Sequence, residues 1–185
     1  MQVVQDLEHG TSWDRYGGIA SCSDACRPSS AAAKPADPNN GLMYGFPQVL
    51  LSDVVTRPIA AGELASLVAG VEVGAIVTFS GDVRRFDHGR EVRALAYEGH
   101  PSAARILTEV AGEIATRFDV LALAVLHRVG DLAICETALA AAVAAEHRGE
   151  AFSACQALVD LTKERLPVWK HQWFTDGTDE WVNCA

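Results

Sequence analysis

The stretch Leu161-Thr-Lys163-Glu-Arg-Leu-Pro167-Val-Trp-Lys170-His-Gln-Trp-Phe174 joins two halves with different patterns. The first half continues a run of helical periodicity, and a proline cannot continue a helix. The second half is rich in aromatic and β-branched residues, which favours a strand. The stretch therefore predicts the last turn of a helix, a tight corner and a strand, with Lys163 and Lys170 on either side of the corner.

Lys163 lies where helical periodicity predicts an apolar residue. At about 100° per residue, Phe152, Cys155, Val159 and Lys163 share one narrow face of a helix. Lys170 is likewise set among large apolar groups in the following strand. An ammonium group beside apolar surface costs free energy unless it is paired, reaches water or binds an anionic ligand. For either lysine alone, a side chain that reaches water is the simpler interpretation.

The composition excludes several classes of protein. The chain has 185 residues and a mass of 19.7 kDa, which suits one domain with a sizeable core plus a tail. A net charge of −9 and a pI near 5.0 argue against general binding to nucleic acid or to anionic membranes. No apolar run approaches the roughly 18 residues of a membrane span, and the N-terminus lacks the pattern of a signal peptide. We therefore expect a cytoplasmic protein.

The cysteines are scattered and odd in number, which indicates reduced thiols rather than a disulfide framework. They are Cys22, Cys26, Cys135, Cys155 and Cys184. Cys22 and Cys26 resemble half of a metal site, but no second Cys or His pair lies nearby in the sequence, so unpaired thiols are favoured.

Residues 1–45 differ in composition from the rest of the chain. They contain few large apolar residues and many glycines, prolines and serines, which predicts a disordered tail. We place the domain at residues 46–185. Met43 opens the first well-patterned segment, so the native start of the protein could also lie there.

The hydrophobic pattern beyond the tail predicts an alternation of strands and helices. We expect strands at 49–56, 73–79, 91–98, 120–126, 134–145 and after Pro167, and helices at 63–68, 102–118 and 151–166. The strand at 91–98 is expected to pair back across the loop 80–89. The strands at 120–126 and 134–145 are expected to form a hairpin.

Cationic side chains fall at the ends of these elements, although the chain as a whole is acidic. They are Arg84, His147, Arg148, Lys163 and Lys170. Taken singly, an arginine in a hairpin loop or a His-Arg pair at a strand-to-helix junction is more often a solvated surface group. Taken together, they indicate a local pocket for an anionic substrate. The signatures of serine hydrolases, nucleotide-binding loops and zinc proteases are absent from the sequence.

A series of short motifs then follows in a specific order: Phe79-Ser-Gly-Asp-Val-Arg84, Tyr97-Glu98, His127-Arg-Val-Gly130, Glu136, His147-Arg148, Ala151-Phe152, Asp160-Leu-Thr-Lys163 and Pro167-Val-Trp-Lys170. Their joint order and spacing resemble those of the large, catalytic subunit of molybdopterin synthase. The resemblance covers roughly residues 48–182.

The resemblance implies a fold, a reaction and partners. The fold would be an α/β-hammerhead of the α+β class, with a mainly antiparallel sheet and two to three packing helices. Two large subunits would form a central dimer, and a small ubiquitin-like sulfur-carrier subunit would insert its C-terminal Gly-Gly thiocarboxylate into each. The enzyme would be a sulfurtransferase that moves two sulfurs to cyclic pyranopterin monophosphate, which builds the dithiolene of molybdopterin. It would need no cofactor or metal of its own.

The resemblance also implies roles for individual residues. Lys163 and Lys170 would be the catalytic groups, and both would also contact the substrate. His147 and Arg148 would bind the phosphate-bearing substrate from across the dimer. The other substrate-binding residues would be Asp82, Val83, Arg84, His171 and Gln172.

His171 and Gln172 depart from the pattern, since the family commonly has a basic residue and a glutamate there, and their contact with substrate is left open. An alternative function is therefore also considered, that of a non-catalytic module that binds a ubiquitin-like sulfur carrier. Only these two departures and the N-terminal tail favour it.

Overall fold

A computed structural model describes residues 47–183 of the chain. The predicted tail at 1–45, its boundary with the domain, and the predictions for Cys22, Cys26, Met43 and Cys184 lie outside the described residues.

Within residues 47–183 the chain forms three helices and nine strands. In order these are β1 (Gln48–Val55), α1 (Ala61–Val68), β2 (Ala75–Asp82), β3 (Phe86–Asp87), β4 (Arg90–Gly99), α2 (Ala103–Arg117), β5 (Ala122–Arg128), β6 (Gly130–Leu132), β7 (Thr137–Ala145), α3 (Arg148–Arg165), β8 (Val168–Phe174) and β9 (Asp179–Asn183). Every helix and strand that the sequence predicted is present. The short strands β3, β6 and β9 were not predicted.

The first sheet has the strand order β1-β5-β7-β2 and is covered by helices on both faces. β1 runs parallel to β5, and the other pairs are antiparallel. The predicted hairpin between β5 and β7 is confirmed, with Ala122 opposite Ala144. Alternate residues of these two strands face opposite ways: Leu123 and Val143 pack in the core with α2 and α3, while Ala124 packs in the core with α1.

The start of β2 lies very close to the end of β7. A Cβ added to Gly74 would come within 2.1 Å of the backbone oxygen of Glu146. Only glycine allows this approach, because any side chain would push the two backbones apart. The contact fixes β2 at the edge of the first sheet.

The second sheet has the order β3-β4-β8-β9, with β6 also paired to β4. The expectation that the strand at 91–98 pairs back across the loop 80–89 onto the preceding strand was wrong. β4 pairs with β8, which places Tyr97 opposite Lys170, and β2 pairs with β7 instead. The loop instead carries β3, which forms its own short hairpin with β4.

The buried face of α3 is shifted by one position from the predicted stripe. Cys155 and Val159 are buried as expected, but the Phe152 side chain is 62% exposed. Thr162 rather than Lys163 takes the buried position in the last turn. Lys163 therefore lies on the exposed side of the boundary between core and solvent, where a charge costs less.

The predicted α+β class is confirmed, with a mainly antiparallel arrangement and three packing helices. Among the described residues, no helix has both the length and the apolar character needed to cross a membrane.

Candidate active site

A cavity of about 440 Å³ opens where the end of α3 meets strands of both sheets. Its floor is apolar, with Leu95 and Leu139 among the lining residues. Its charged lining residues are Asp82, Arg84, Asp87, Lys163 and Lys170. The structure therefore brings Arg84, Lys163 and Lys170 together at one cavity, but it does not bring the other two cations of the predicted group, His147 and Arg148, to this cavity.

Local structure explains how the two lysines reach this cavity. α3 ends at Arg165, and Pro167 then prevents the helix from continuing. In β8, alternate side chains point to opposite faces. Val168, Lys170 and Gln172 therefore lie on one face of the strand, and Trp169 lies on the other. Val168 and Gln172 are fully buried, and Lys170 is partly buried between them. Lys163 reaches the same cavity from the last turn of α3.

Asp87 is the acidic centre of the site, and the sequence analysis did not identify it. The residue is 8% exposed. Oδ2 accepts hydrogen bonds from Lys170 Nζ at 2.9 Å and from Gln172 Nε2 at 2.8 Å. Oδ1 accepts a hydrogen bond from Arg84 at 3.1 Å. These bonds from Lys170 and Gln172 lower the pKa of Asp87 to about 2, so the group is a carboxylate at neutral pH.

A tight turn holds Asp87 in place. His88 and Gly89 both have positive φ, at 47° and 80°, and they join Asp87 to its strand partner Arg90. Two consecutive residues of positive φ are typical of the type I′ turns that close two-residue hairpins. The turn therefore fixes the Asp87 backbone before any side-chain contact is made.

Gln172 links Asp87 to a second carboxylate. Its Nε2 group also donates a hydrogen bond to Glu180, and Glu180 in turn pairs with Arg90 at 3.2 Å. The Gln172 side chain is completely buried, and its Oε1 atom has no hydrogen-bond partner among the described residues. A neutral amide at this position can donate to both carboxylates at once, which a glutamate could not do when ionised.

Two further buried polar atoms in the cavity wall lack hydrogen-bond partners among the described residues. They are Thr162 Oγ1 and His127 Nδ1. Burial lowers the pKa of His127 to about 4, so its ring is neutral at pH 7 and can donate or accept a hydrogen bond. The Tyr97 ring packs edge-on against it, with 5.2 Å between centroids. Unsatisfied buried polar groups are costly to the folded state.

Asp82 lies at the rim of the cavity. Hydrogen bonds from Ser80 at 2.6 Å and Thr137 at 2.8 Å lower its pKa. Both bonds go to Oδ1, so the carboxylate is held in one orientation. Val83 and Arg84, which follow it, also line the cavity.

The remaining residues predicted to bind substrate do not line this cavity. His147 and Arg148 are exposed at the junction between β7 and α3. His171 lies on the opposite face of β8, where its ring stacks on Trp181 at 4.1 Å between centroids. Its Nε2 atom is 2.7 Å from Asp179 Oδ2.

Comparison with known proteins gives a consistent result. A family model described as "MoaE protein" matches residues 54–165. The chain is 35% identical over 138 residues to a Mycobacterium tuberculosis protein named molybdopterin synthase catalytic subunit 1, which covers 74% of this chain and 91% of that protein.

Solved structures agree with the sequence comparison. A structure of molybdopterin synthase from Staphylococcus aureus superposes with a TM-score of 0.66 at 29% identity, over 71% of this chain and 96% of that chain. A complex of subunits 1 and 2 of molybdopterin-converting factor from Helicobacter pylori superposes with a TM-score of 0.56, over 71% of this chain and 88% of that chain. At 16% identity, this last match shows the fold alone. Because the family model spans more than half of the chain, and the Mycobacterium tuberculosis protein is matched over nearly its whole length, the chain belongs to the MoaE family.

Proposed function

We propose that this chain is the catalytic subunit of a molybdopterin synthase. It transfers sulfur from the C-terminal thiocarboxylate of a small ubiquitin-like subunit to cyclic pyranopterin monophosphate, which forms the molybdopterin dithiolene. The observation that carries the proposal is that Lys163, Lys170 and Arg84 line one cavity in an otherwise acidic chain.

The chemistry of the cavity suits these reactants. Both the thiocarboxylate and the phosphorylated pterin are anions, and ammonium and guanidinium groups are suited to bind them. His127, Thr162 and Gln172 add neutral polar side chains to the lining of the same cavity. The catalytic roles therefore fall to Lys163 and Lys170. Substrate contacts fall to both lysines and to Asp82, Val83, Arg84 and Gln172.

The proposal includes two protein partners. One is the small sulfur-carrier subunit, and the Helicobacter pylori protein of similar fold was solved as a complex of two different subunits. The other is a second copy of this chain. His147 and Arg148 are exposed and lie outside the cavity, as expected of groups that serve the partner's site rather than their own. His171 is left out of the proposed site, because it faces away from the cavity. A cytoplasmic location stays a prediction from the sequence.

Reconstitution of the reaction tests the function directly. The purified chain is mixed with a thiocarboxylated small subunit and cyclic pyranopterin monophosphate, and the dithiolene product is measured. We expect product formation that depends on the thiocarboxylate, with a carboxylate form of the small subunit as control. Tight binding of the small subunit without product would instead support the alternative function of a non-catalytic carrier-binding module.

The contribution of the second copy has a separate test. Heterodimers of a Lys163→Ala chain and an Arg148→Ala chain are purified through two different tags. If Arg148 serves the partner's cavity, one of the two sites in each heterodimer is intact, and about half of the wild-type activity returns. Both homodimers stay impaired. Heterodimers no more active than the Arg148→Ala homodimer would show that Arg148 acts elsewhere.

A further inference from the structure

We propose that Asp87 is a positioning residue and that its contact with one of the two lysines gives them different roles. It holds Lys170 as a fixed, charged part of the cavity wall, and it leaves Lys163 as the cation that meets the incoming anion. This inference rests on the proposed function, which names both lysines but assigns no role to Asp87.

The two oxygens of Asp87 are used differently. Oδ2 is occupied by Lys170 Nζ at 2.9 Å and Gln172 Nε2 at 2.8 Å, while Oδ1 receives the exposed Arg84 at 3.1 Å. The carboxylate is almost fully buried, and its backbone is fixed by the turn at 88–89. A buried carboxylate with these donors is a fixed negative charge at the wall of the cavity.

The contact with Asp87 determines the position of the Lys170 ammonium group. The Lys170 side chain is 18% exposed, and the Asp87 side chain is 10% exposed, so solvent screens the pair only weakly. A carboxylate oxygen at hydrogen-bond distance holds the ammonium group of Lys170 in one position. Lys170 therefore contributes a positive charge of fixed position.

Lys163 differs in each of these respects. Its side chain is exposed, and it forms no ion pair or side-chain hydrogen bond with any residue in 47–183. Its ammonium group can therefore bind an anion that enters the cavity without first breaking an internal contact. Binding to a group that is already free avoids that cost.

Other charged groups around the pair do not change this assignment. Glu180 reaches Asp87 only through Gln172. His88 Nε2 is 3.9 Å from Asp87 Oδ1 but its side chain is 92% exposed. The remaining titratable or charged lining residues are Asp82 on β2, Arg84 on the loop, Tyr97 on β4, His127 on β5 and Lys163 on α3.

Competitive labelling of amines tests the assignment without relying on activity. The folded protein is treated at a fixed pH with a trace of acetic anhydride, which reacts with the unprotonated amine. Tryptic cleavage after Arg165 separates the two lysines into different peptides for mass spectrometry. In the wild type, we expect Lys163 to react faster than Lys170.

The informative variant is Asp87→Asn, which keeps the shape of the side chain and removes its charge. The asparagine offers Lys170 no charged acceptor, and a hydrogen bond to a charged group contributes more than a neutral one. Lys170 Nζ should therefore be released for reaction, and its reactivity relative to Lys163 should rise about tenfold. Asp87→Glu, which keeps the charge, should leave Lys170 protected. Glu91→Gln is the matched control, because it removes the nearby Arg85–Glu91 ion pair of 2.9 Å outside the cavity and should leave the ratio unchanged.

Comparison of Asp87→Asn with Asp87→Glu separates a positioning role from a merely structural one, because both variants disturb the packing of the side chain but only Asp87→Asn removes its charge. An unchanged ratio in Asp87→Asn would overturn the proposal. In the reconstituted reaction, the same variant should lower kcat about tenfold with a smaller change in KM. A wild-type chain that forms no product would refute the proposed function. If the wild type is active and Asp87→Asn has the same activity, only the role of Asp87 is refuted.

Discussion

The two sides of the corner at Pro167 carry the same residue type in opposite circumstances. Lys170 lies on a strand, partly buried and bonded to a buried carboxylate, while Lys163 lies in the last turn of a helix, exposed and without a partner among the described residues. Two cations that line one cavity therefore differ in burial and in bonding. One forms part of the folded structure, and the other is available to a ligand.

The largest effect is expected from Lys163→Ala. Removal of a single group that stabilises charge in a catalytic site typically costs about 100-fold to 1,000-fold in rate, and we expect a loss of product formation at least this large. The free energy of unfolding should stay close to that of the wild type, because the side chain has no ion pair or side-chain hydrogen bond within residues 47–183 to lose. Single-turnover product assays and urea denaturation measure the two quantities. Full activity in this variant would remove Lys163 from the catalytic role.

The next largest effect is a loss of stability in Lys170→Met. The variant leaves the buried Asp87 carboxylate with the exposed Arg84 as its remaining cationic partner, and loss of one partner from a buried ion pair costs about 3 kcal/mol. Urea denaturation at pH 7 checks this value. The double variant Lys170→Met with Asp87→Asn removes both charges and should recover part of the loss. If Lys170→Met were as stable as the wild type, the ion pair would not be part of the folding energy.

A smaller effect is expected from acid. The pKa of Asp87 is about 2 in the folded state, against 3.8 for the unperturbed group, so the folded state binds fewer protons than the unfolded state between these values. The stabilisation is present above pH 3.8 and is lost as the pH falls towards 2, and it amounts to about 2 kcal/mol. Unfolding free energies of the wild type and Asp87→Asn should converge over this window. Parallel curves would show that the carboxylate is not held as described.

Much of the fold could be predicted from the sequence, because hydrophobic periodicity sets each long element. The pairing of the strands was harder to predict from the sequence. The strand at 91–98 alternates well enough to pair with any neighbour, and its true partner β8 lies far along the chain. Helical periodicity also left the rotation of α3 about its own axis uncertain by one residue. The prediction therefore placed Phe152 on the buried face, whereas in the structure it lies on the surface.

The cations of the site could be predicted, but their acidic partner could not. Lys170 stood out because charge among large apolar residues is unusual. Lys163 stood out because the predicted helical stripe, which the structure shifts by one position, also placed it at an apolar position. Asp87, by contrast, is an ordinary acidic residue in a polar loop. One signal was present, since Asp87-His88-Gly89-Arg90 has the glycine-containing pattern of a tight hairpin turn. That turn would have placed Asp87 opposite Arg90, although contact with Lys170 depends on the long-range pairing of β4 with β8.

A structure of this chain bound to the small subunit would test the central claim most directly. We predict that the terminal carboxyl group of the small subunit enters the cavity and lies within hydrogen-bond distance of Lys163 Nζ, while Lys170 Nζ stays bonded to Asp87. A terminus bound outside the cavity, with neither lysine near it, would contradict the account.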